Sequence, residues 1–310
     1  MQRIRSRRRG ITLCELLGKG REHCCRPLQD VVKRSLTKCN CLWTGIDSTS
    51  GCHSFSPDPR IALYLPLMAM EWHKARLVDM IQETPQTRRF FFELPELERY
   101  DFVPGQFINM ELPIGEEPRE RRRSYSIASR PVGDNRLEFI IVRLEGGRGT
   151  GYLFDGCEIG AEFPISSAAG RLVLPEPIEY DVCYICTGTG VAPFRSQLQD
   201  IYHNKKPHQR IDLIFGTRTM EDVLYYEEFR QLEKDLPDFH YHVCLSREDV
   251  EGTRRGYVHS VYQELFADRY GDENVMFSLC GWGDMIKEAR KRLTQEMGFV
   301  RKQVQLEIYG

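Results

Sequence analysis

The stretch Arg121-Arg122-Arg123-Ser124-Tyr125-Ser126-Ile127-Ala128-Ser129 decides how the rest of the chain is read. From Ser124 to Ile127 polar and apolar side chains alternate, the pattern of a strand. Strand formation alone requires no guanidinium, phenol ring and hydroxyl within four residues. Arg123 offers a planar fork of donors suited to phosphate oxygens. The Tyr125 ring offers a flat face with a polar tip, and Ser126 a small hydroxyl that can donate to a ring nitrogen. Together they suit a flat heterocycle with a phosphate tail, the description of a flavin. An edge strand with a solvated basic rim accounts for the same residues, so the choice rests on the flanking sequence.

Upstream, His73 to Gln82 and Thr87 to Leu94 read as strands around a turn at Glu83-Thr84-Pro85. Pro104-Gly105-Gln106-Phe107 turns into a further strand, Phe107 to Leu112. Downstream lie the long strand Arg136 to Leu144 and two short ones, Ala161 to Pro164 and Arg171 to Leu174. About seven strands with one short helix predict a small antiparallel barrel. From Tyr180 apolar strands alternate with helical segments, and Phe194, Leu198 and Ile201 recur at helical spacing on one face. That alternation predicts a parallel, doubly wound α/β sheet, with the boundary near Pro175-Glu176-Pro177. The expected division is therefore a barrel over residues 71–177 and an α/β half over residues 178–310.

Composition narrows the classes of function. The 310 residues, 41% hydrophobic, suit two domains with cores of their own. Residues 1–67 carry 12 Lys+Arg against 5 Asp+Glu, and the remainder 31 against 40. The folded part thus lacks the basic field that nucleic acid requires. No apolar run reaches the length of a membrane span. Residues 1–67 show no sustained period and are expected to be a disordered, spurious or targeting leader before a start at Met68 or Met70. Six of the eleven cysteines fall in the first 52 residues. Cys39-x-Cys41 and Cys24-Cys25 lack the paired spacing of a zinc site, and no metal is expected. Reduced thiols point to the cytoplasm, or to an organelle if the leader is a transit peptide.

Three further motifs carry chemistry. Glu145-Gly146-Gly147-Arg148-Gly149-Thr150-Gly151 follows a strand and opens a short helix, where backbone N–H groups can approach an anion. A Gly-rich hairpin turn is the plainer reading, and Thr150 either caps the helix or bonds a phosphate. Cys186-Thr187-Gly188-Thr189-Gly190-Val191-Ala192-Pro193 lies where doubly wound sheets bind nucleotides, although Pro193 stands in place of a third glycine. Arg218, Arg247 and Arg254-Arg255 sit at strand ends that converge on one side of such a sheet, and no acidic residue marks an NAD-type ribose partner. Cys183 and Cys186 are three apart, so they face opposite sides of a strand. Cys280, by spacing alone, reads as a small buried hydrophobe.

Taken in order, Pro104-Gly105-Gln106-Phe107, Arg123-Ser124-Tyr125-Ser126, Gly147-Arg148-Gly149-Thr150, Gly188 to Pro193, Cys280-Gly281 and the terminal Glu307-Ile308-Tyr309 resemble the ferredoxin–NADP reductase superfamily over residues 71–310. The resemblance implies a flavin-binding Greek-key barrel followed by a pyridine-nucleotide domain, with FAD and NADP(H) as cofactors. It implies an FAD site at Arg123, Ser124, Tyr125, Ser126, Gly147, Gly149, Thr150 and Tyr309. Within it Tyr125 lies on the isoalloxazine, Ser126 bonds near N5, and Tyr309 covers the other face until nicotinamide displaces it. Arg123 and the Gly147–Thr150 loop would hold the pyrophosphate. An NADP site is implied at Thr187, Gly188, Thr189, Gly190, Pro193 and Cys280. Arg218, Ser246, Arg247 and Arg255, or its neighbour Arg254, would grip the 2′-phosphate. Ser126, Cys280, Glu307 and Tyr309 are the implied catalytic residues.

The resemblance implies an enzyme that takes hydride from NADPH onto FAD and passes electrons to a separate carrier, ferredoxin or flavodoxin. No ferredoxin domain is legible in the chain, and Gly310 extends past the aromatic where many relatives stop. Arg119, Arg121 and Arg122 exceed what one pyrophosphate needs and are expected to dock an acidic carrier. An NADH-using reductase component of a multicomponent oxygenase, and a non-catalytic module of the same fold, are the alternatives.

Overall fold

The computed structural model describes residues 71–309, so the readings placed on residues 1–67 lie outside the described residues. Six strands come first: β1 (Trp72–Thr84), β2 (Thr87–Glu93), β3 (Phe107–Glu111), β4 (Arg122–Ser126), β5 (Arg136–Val142) and β6 (Glu162–Ser166). They form an antiparallel sheet in the order β4-β3-β6-β1-β2-β5. The return of β6 to lie between β3 and β1 is a Greek-key connection. The two ends of the sheet meet, because the Ala128 amide donates to the Glu138 carbonyl at 2.8 Å and the Glu138 amide donates to Ser129 Oγ at 3.1 Å.

Alternation is clearest on β2. On β2 the rings of Phe90 and Phe92 point inward, while Phe91 faces out beneath the Arg89 guanidinium, 5.2 Å from its ring. Phe92 meets Phe139 and Phe163 edge to face inside the barrel. The short helix α1 (Pro118–Arg121) precedes β4, and α2 (Arg148–Gly151) follows β5. Arg171 to Leu174, expected as a strand, is irregular instead. Leu172 is buried there, and its carbonyl accepts from Gln197 Nε2 at 2.7 Å. Its apolar side chains serve a packed connection whose backbone is bonded by a side chain and not by a ladder.

The second sheet is parallel, in the order β10-β9-β8-β7-β11-β12. Its strands are β7 (Asp181–Thr187), β8 (Ile211–Thr217), β9 (Phe239–Leu245), β10 (Arg254–Arg255), β11 (Val275–Trp282) and β12 (Val304–Tyr309). Helices α3 (Ala192–His203), α4 (Tyr226–Asp235), α5 (Val258–Leu265) and α6 (Gly283–Lys291) connect them. Arg254 and Arg255, expected among the cationic strand ends, themselves make the two-residue strand β10 against β9. One face of the sheet buries Phe194, Leu198 and Ile201 of α3 with Phe229 and Leu232 of α4. The other face buries Val258, Val261 and Tyr262 of α5 with Ile286 and Ala289 of α6. Cys186 lies in the first cluster and Cys183 in the second, as their odd spacing requires.

The strand order reverses between β7 and β11, and this reversal opens the crevice at the carboxyl ends of the strands. Tyr184 and Phe194 stack at 4.5 Å beneath it, both fully buried. Phe194→Ala removes that stack and is expected to cost about 3–5 kcal/mol, read as a lower midpoint in urea denaturation with an unchanged slope.

Candidate functional site

Strand β4 pairs with β3 in a register that sets Tyr125 against Ile108 and Ser126 against Phe107. The Tyr125 ring leans on the barrel core, 6.3 Å from Phe139, and burial raises its hydroxyl above the ordinary phenol range. Ser126 is buried at the end of the strand, and Ser124 Oγ donates to Asn109 Oδ1 at 2.8 Å. Arg123 bends back, donating to the carbonyls of Glu120 and Arg122 at 2.9 and 2.7 Å.

Arg123 also meets the glycine-rich loop. A Cβ built on Gly149 would lie 3.1 Å from Arg123 Cγ and Nε, so a side chain there would displace the guanidinium. The first amides of α2 have no intrahelical acceptor and lie beside that cation, a donor set that fits a phosphate group. Thr150 ties the loop to the end of the preceding strand: its hydroxyl accepts from the Leu144 amide at 3.1 Å and donates to the Gly147 carbonyl at 3.4 Å. The arrangement fits a pyrophosphate group.

At the crevice, glycine is required for close approach. A Cβ on Gly190 would collide with the Cys280 carbonyl, and one on Gly281 with Thr187 Oγ1. Gly188 adopts φ +53°, which favours glycine. Thr187 Oγ1 accepts from the Trp282 amide at 3.3 Å, so this hydroxyl braces the two strand ends. Pro193 is buried at the start of α3, where its fixed φ suits a first turn, and it does not line the cleft.

A cleft of about 1650 Å³ runs from Gly146, Gly147 and Gly151 of the barrel to Thr187, Gly188 and Thr189 of the parallel sheet. Its far wall carries Arg218, Ser246 and Arg247. The Ser246 amide donates to the Thr217 carbonyl and the Arg247 amide to the Arg218 carbonyl, which holds the two cationic strand ends together. Arg255 is outside this wall, 3.9 Å from Asp249, and Arg254 is paired with Glu264 at 2.7 Å. Tyr257, 73% exposed, and Trp282, 51% exposed, line the same cleft and were given no role in the sequence reading. Their signal was an aromatic beside glycine at a strand end, in Gly256-Tyr257 and Gly281-Trp282.

The four expected catalytic residues converge. Tyr309 Oη donates to Ser126 Oγ at 2.5 Å, and Ser126 Oγ donates to Glu307 Oε2 at 3.5 Å. In-register pairing of β11 with β12 sets Cys280 beside Glu307. Cys280 is fully buried, and burial raises its thiol far above the ordinary range, so it is a neutral packing group here. Burial also pushes the Glu307 carboxyl up to about 7, with the Ser126 hydrogen bond opposing the shift. This carboxyl therefore changes charge near neutral pH, unlike an ordinary carboxylate.

The sign of the linkage follows. A raised native value favours the protonated form on folding, so the stabilisation is full below the ordinary carboxylate range and is lost as pH rises through about 7. Glu307→Gln is expected to raise Tm at about pH 8 and to leave it nearly unchanged near pH 4. Calorimetry at the two pH values checks this; an equal shift at both would contradict it.

Comparison with known proteins agrees with this geometry. Residues 74–173 match the oxidoreductase FAD-binding domain, and residues 184–291 the oxidoreductase NAD-binding domain. The ferredoxin–NADP reductase B of Sorangium cellulosum is 32% identical over 248 residues, 78% of this chain and the whole of that protein. A glycine betaine monooxygenase reductase subunit of Chromohalobacter salexigens is 28% identical over 79% of this chain and 67% of its own length. Among solved structures, a ferredoxin–NADP+ reductase from Neisseria gonorrhoeae with bound FAD and NADP superposes with a TM-score of 0.66 at 22% identity. That match covers 76% of this chain and 98% of the other. No helix among the described residues is long and apolar enough to cross a membrane. The chain belongs to the ferredoxin–NADP reductase superfamily of oxidoreductases, with an FAD-binding and a nicotinamide-nucleotide-binding domain in one polypeptide.

Proposed function

We propose that this protein takes hydride from NADPH onto FAD and passes electrons singly to a separate carrier, a ferredoxin or flavodoxin. The observation that carries the reading is the meeting of Ser126, Glu307 and Tyr309 at the end of the flavin-type strand, beside the Gly188–Gly190 crevice. Residues 71–177 form the FAD half and residues 178–310 the nucleotide half. When bound, FAD supplies the conversion of two-electron to one-electron traffic. Tyr125 presents its ring to the isoalloxazine, and Ser126 places a hydroxyl at its edge. Tyr309 screens the site from water, and Glu307 beside Cys280 presents a carboxyl whose charge is adjustable near neutral pH. Arg218, Ser246 and Arg247 take the 2′-phosphate, with Arg255 nearby on β10.

A second reading, an NADH-using reductase component of an oxygenase, draws support from the oxygenase reductase subunits among the relatives. The two separate on nucleotide preference. Arg247→Ala is expected to lower kcat/KM for NADPH about tenfold to a hundredfold, the worth of a charge-assisted hydrogen bond, while leaving the value for NADH unchanged. Equal effects on both nucleotides would favour the NADH reading. Absence of flavin absorbance in the purified protein, or failure of NADPH to bleach it without oxygen, would reject both.

For the carrier, the basic run is less available than its composition suggests. Arg122, though exposed, donates to Glu111 at 2.9 Å and Arg121 approaches the same carboxylate at 3.7 Å, whereas exposed Arg119 makes no ion pair among the described residues. We therefore place the docking charge chiefly on Arg119. Arg119→Glu is expected to slow carrier reduction at low salt and to converge with the native rate at high salt, as exposed electrostatics require.

A further inference from the structure

Helix α3 continues directly from the Gly188–Val191 loop, and three successive residues of its first half reach back to the barrel. Arg195 Nη1 donates to the Ala128 carbonyl at 2.9 Å, and Ser196 Oγ donates to the Ser129 carbonyl at 2.6 Å. Gln197 Nε2 donates to the Leu172 carbonyl at 2.7 Å and to the Pro104 carbonyl at 3.3 Å. Ala128 and Ser129 lie two and three residues past Ser126 on the same segment. One helical turn is thus bonded to the backbone that ends the flavin-type strand.

Arg195 is the centre of this contact, with every face of its guanidinium engaged. Nη1 also donates to Glu138 Oε2 at 3.0 Å, Nε and Nη2 donate to Glu228 at 2.7 and 2.9 Å, and the Tyr225 ring lies 4.2 Å away. Tyr225 adopts φ +54°, unusual for a residue with a bulky side chain. It is held there from the barrel side: its amide donates to Glu83 Oε1 at 3.0 Å, its hydroxyl donates to Glu138 Oε1 at 2.8 Å, and Arg89 lies 5.1 Å from its ring. Burial alone would raise the Glu138 carboxyl, but Arg195 and Arg89 hold it below the ordinary carboxylate range. The cluster is therefore ionised, although Glu138 is 6% and Arg195 8% exposed.

Burying such charges is poor economy for stability alone, since apolar residues of the same shape do as well or better. What an ionic cluster with fixed donor directions provides is geometry. We infer that Arg195 is a positioning residue, fixing the flavin-type strand at Ser126 relative to the Gly188–Gly190 loop so that the two cofactor sites meet at reacting distance. Tyr225 and Glu138 act with it, through its guanidinium. The inference rests on the proposed function for its catalytic consequence and on the hydrogen bonds above for its structural one.

The test compares Arg195→Leu, Arg195→Lys and Tyr225→Phe with the native protein in four measurements. These are flavin content, the Kd of NADP+ from the flavin spectrum, the anaerobic rate of flavin bleaching by NADPH, and amide hydrogen exchange at residues 126–130. Arg195→Leu is expected to slow bleaching about 100-fold, the effect of a misplacement near 1 Å, with flavin content kept and Kd within about twofold. Arg195→Lys, which keeps the charge but not the fork, and Tyr225→Phe, which removes only the bond to Glu138, should give smaller losses of the same kind. Exchange at residues 126–130 should quicken in the same order.

A folded Arg195→Leu that bleaches at the native rate overturns the proposal. So does a loss of rate matched by equal losses in Kd and flavin content, which a merely structural role predicts. Should Arg195→Leu not fold, the other two variants decide by the same criteria. If NADPH fails to bleach even the native flavin, the proposed function is wrong, while unchanged exchange at residues 126–130 would separately reject the positioning role.

Discussion

The site depends first on the register of β12 against β11. Parallel pairing sets Cys280 opposite Glu307 and Trp282 opposite Tyr309, and only in that register do Glu307 and Tyr309 both reach Ser126 across the boundary between the two sheets. Side chains alternate with a period of two along a strand, so a slip of one residue would turn Glu307 and Tyr309 away together. Gln303, buried just before β12, secures the register: its side-chain amide donates to the Asp272 and Val275 carbonyls, both at 2.7 Å. A polar side chain just before an edge strand thereby helps fix where Tyr309 lies six residues later.

A second constraint is the close passage of the Gly188–Gly190 loop over the end of β11. Only hydrogen at the α-carbons of Gly190 and Gly281 allows the Cys280 carbonyl and Thr187 hydroxyl to come so near. The same closeness buries Cys280 completely and keeps its thiol neutral. Tight packing and an uncharged environment are one consequence of two glycines. Burial likewise makes Glu307, beside Cys280, hold its proton to higher pH than a carboxylate on a surface strand.

Much of this was legible before the structure. Runs of strand-forming residues bounded by turn signals located β1, β2 and β5, and helical spacing of Phe194, Leu198 and Ile201 placed α3 on the parallel sheet, because local pattern and burial agree there. Arg171 to Leu174 misled for the opposite reason: its leucines and valine look like a strand, yet Leu172 packs in a connection bonded by Gln197. The pairing of Arg121 and Arg122 with Glu111 was not legible, because the β3–β4 register that brings Glu111 opposite Arg122 is invisible in sequence. Convergence of strand ends groups Arg255 with Arg218 and Arg247, but its exposed side chain lies 3.9 Å from Asp249 and does not line the cleft.

The cluster of Arg89, Glu138, Arg195 and Glu228 illustrates a deeper limit. Glu138 sits inside an apolar strand, and Arg195 follows a phenylalanine in an otherwise apolar helix start; each alone is a local violation of pattern. Their partners are 57 and 33 residues apart in the chain, so neither violation names the other. Read together in three dimensions they satisfy one another and span the two sheets. A pair of buried charges that conflicts with its local pattern twice and agrees only across a domain boundary is best explained by the boundary. The geometry held there is that between Ser129, at the end of the flavin-type segment, and Ser196, in the helix that begins at the nucleotide loop.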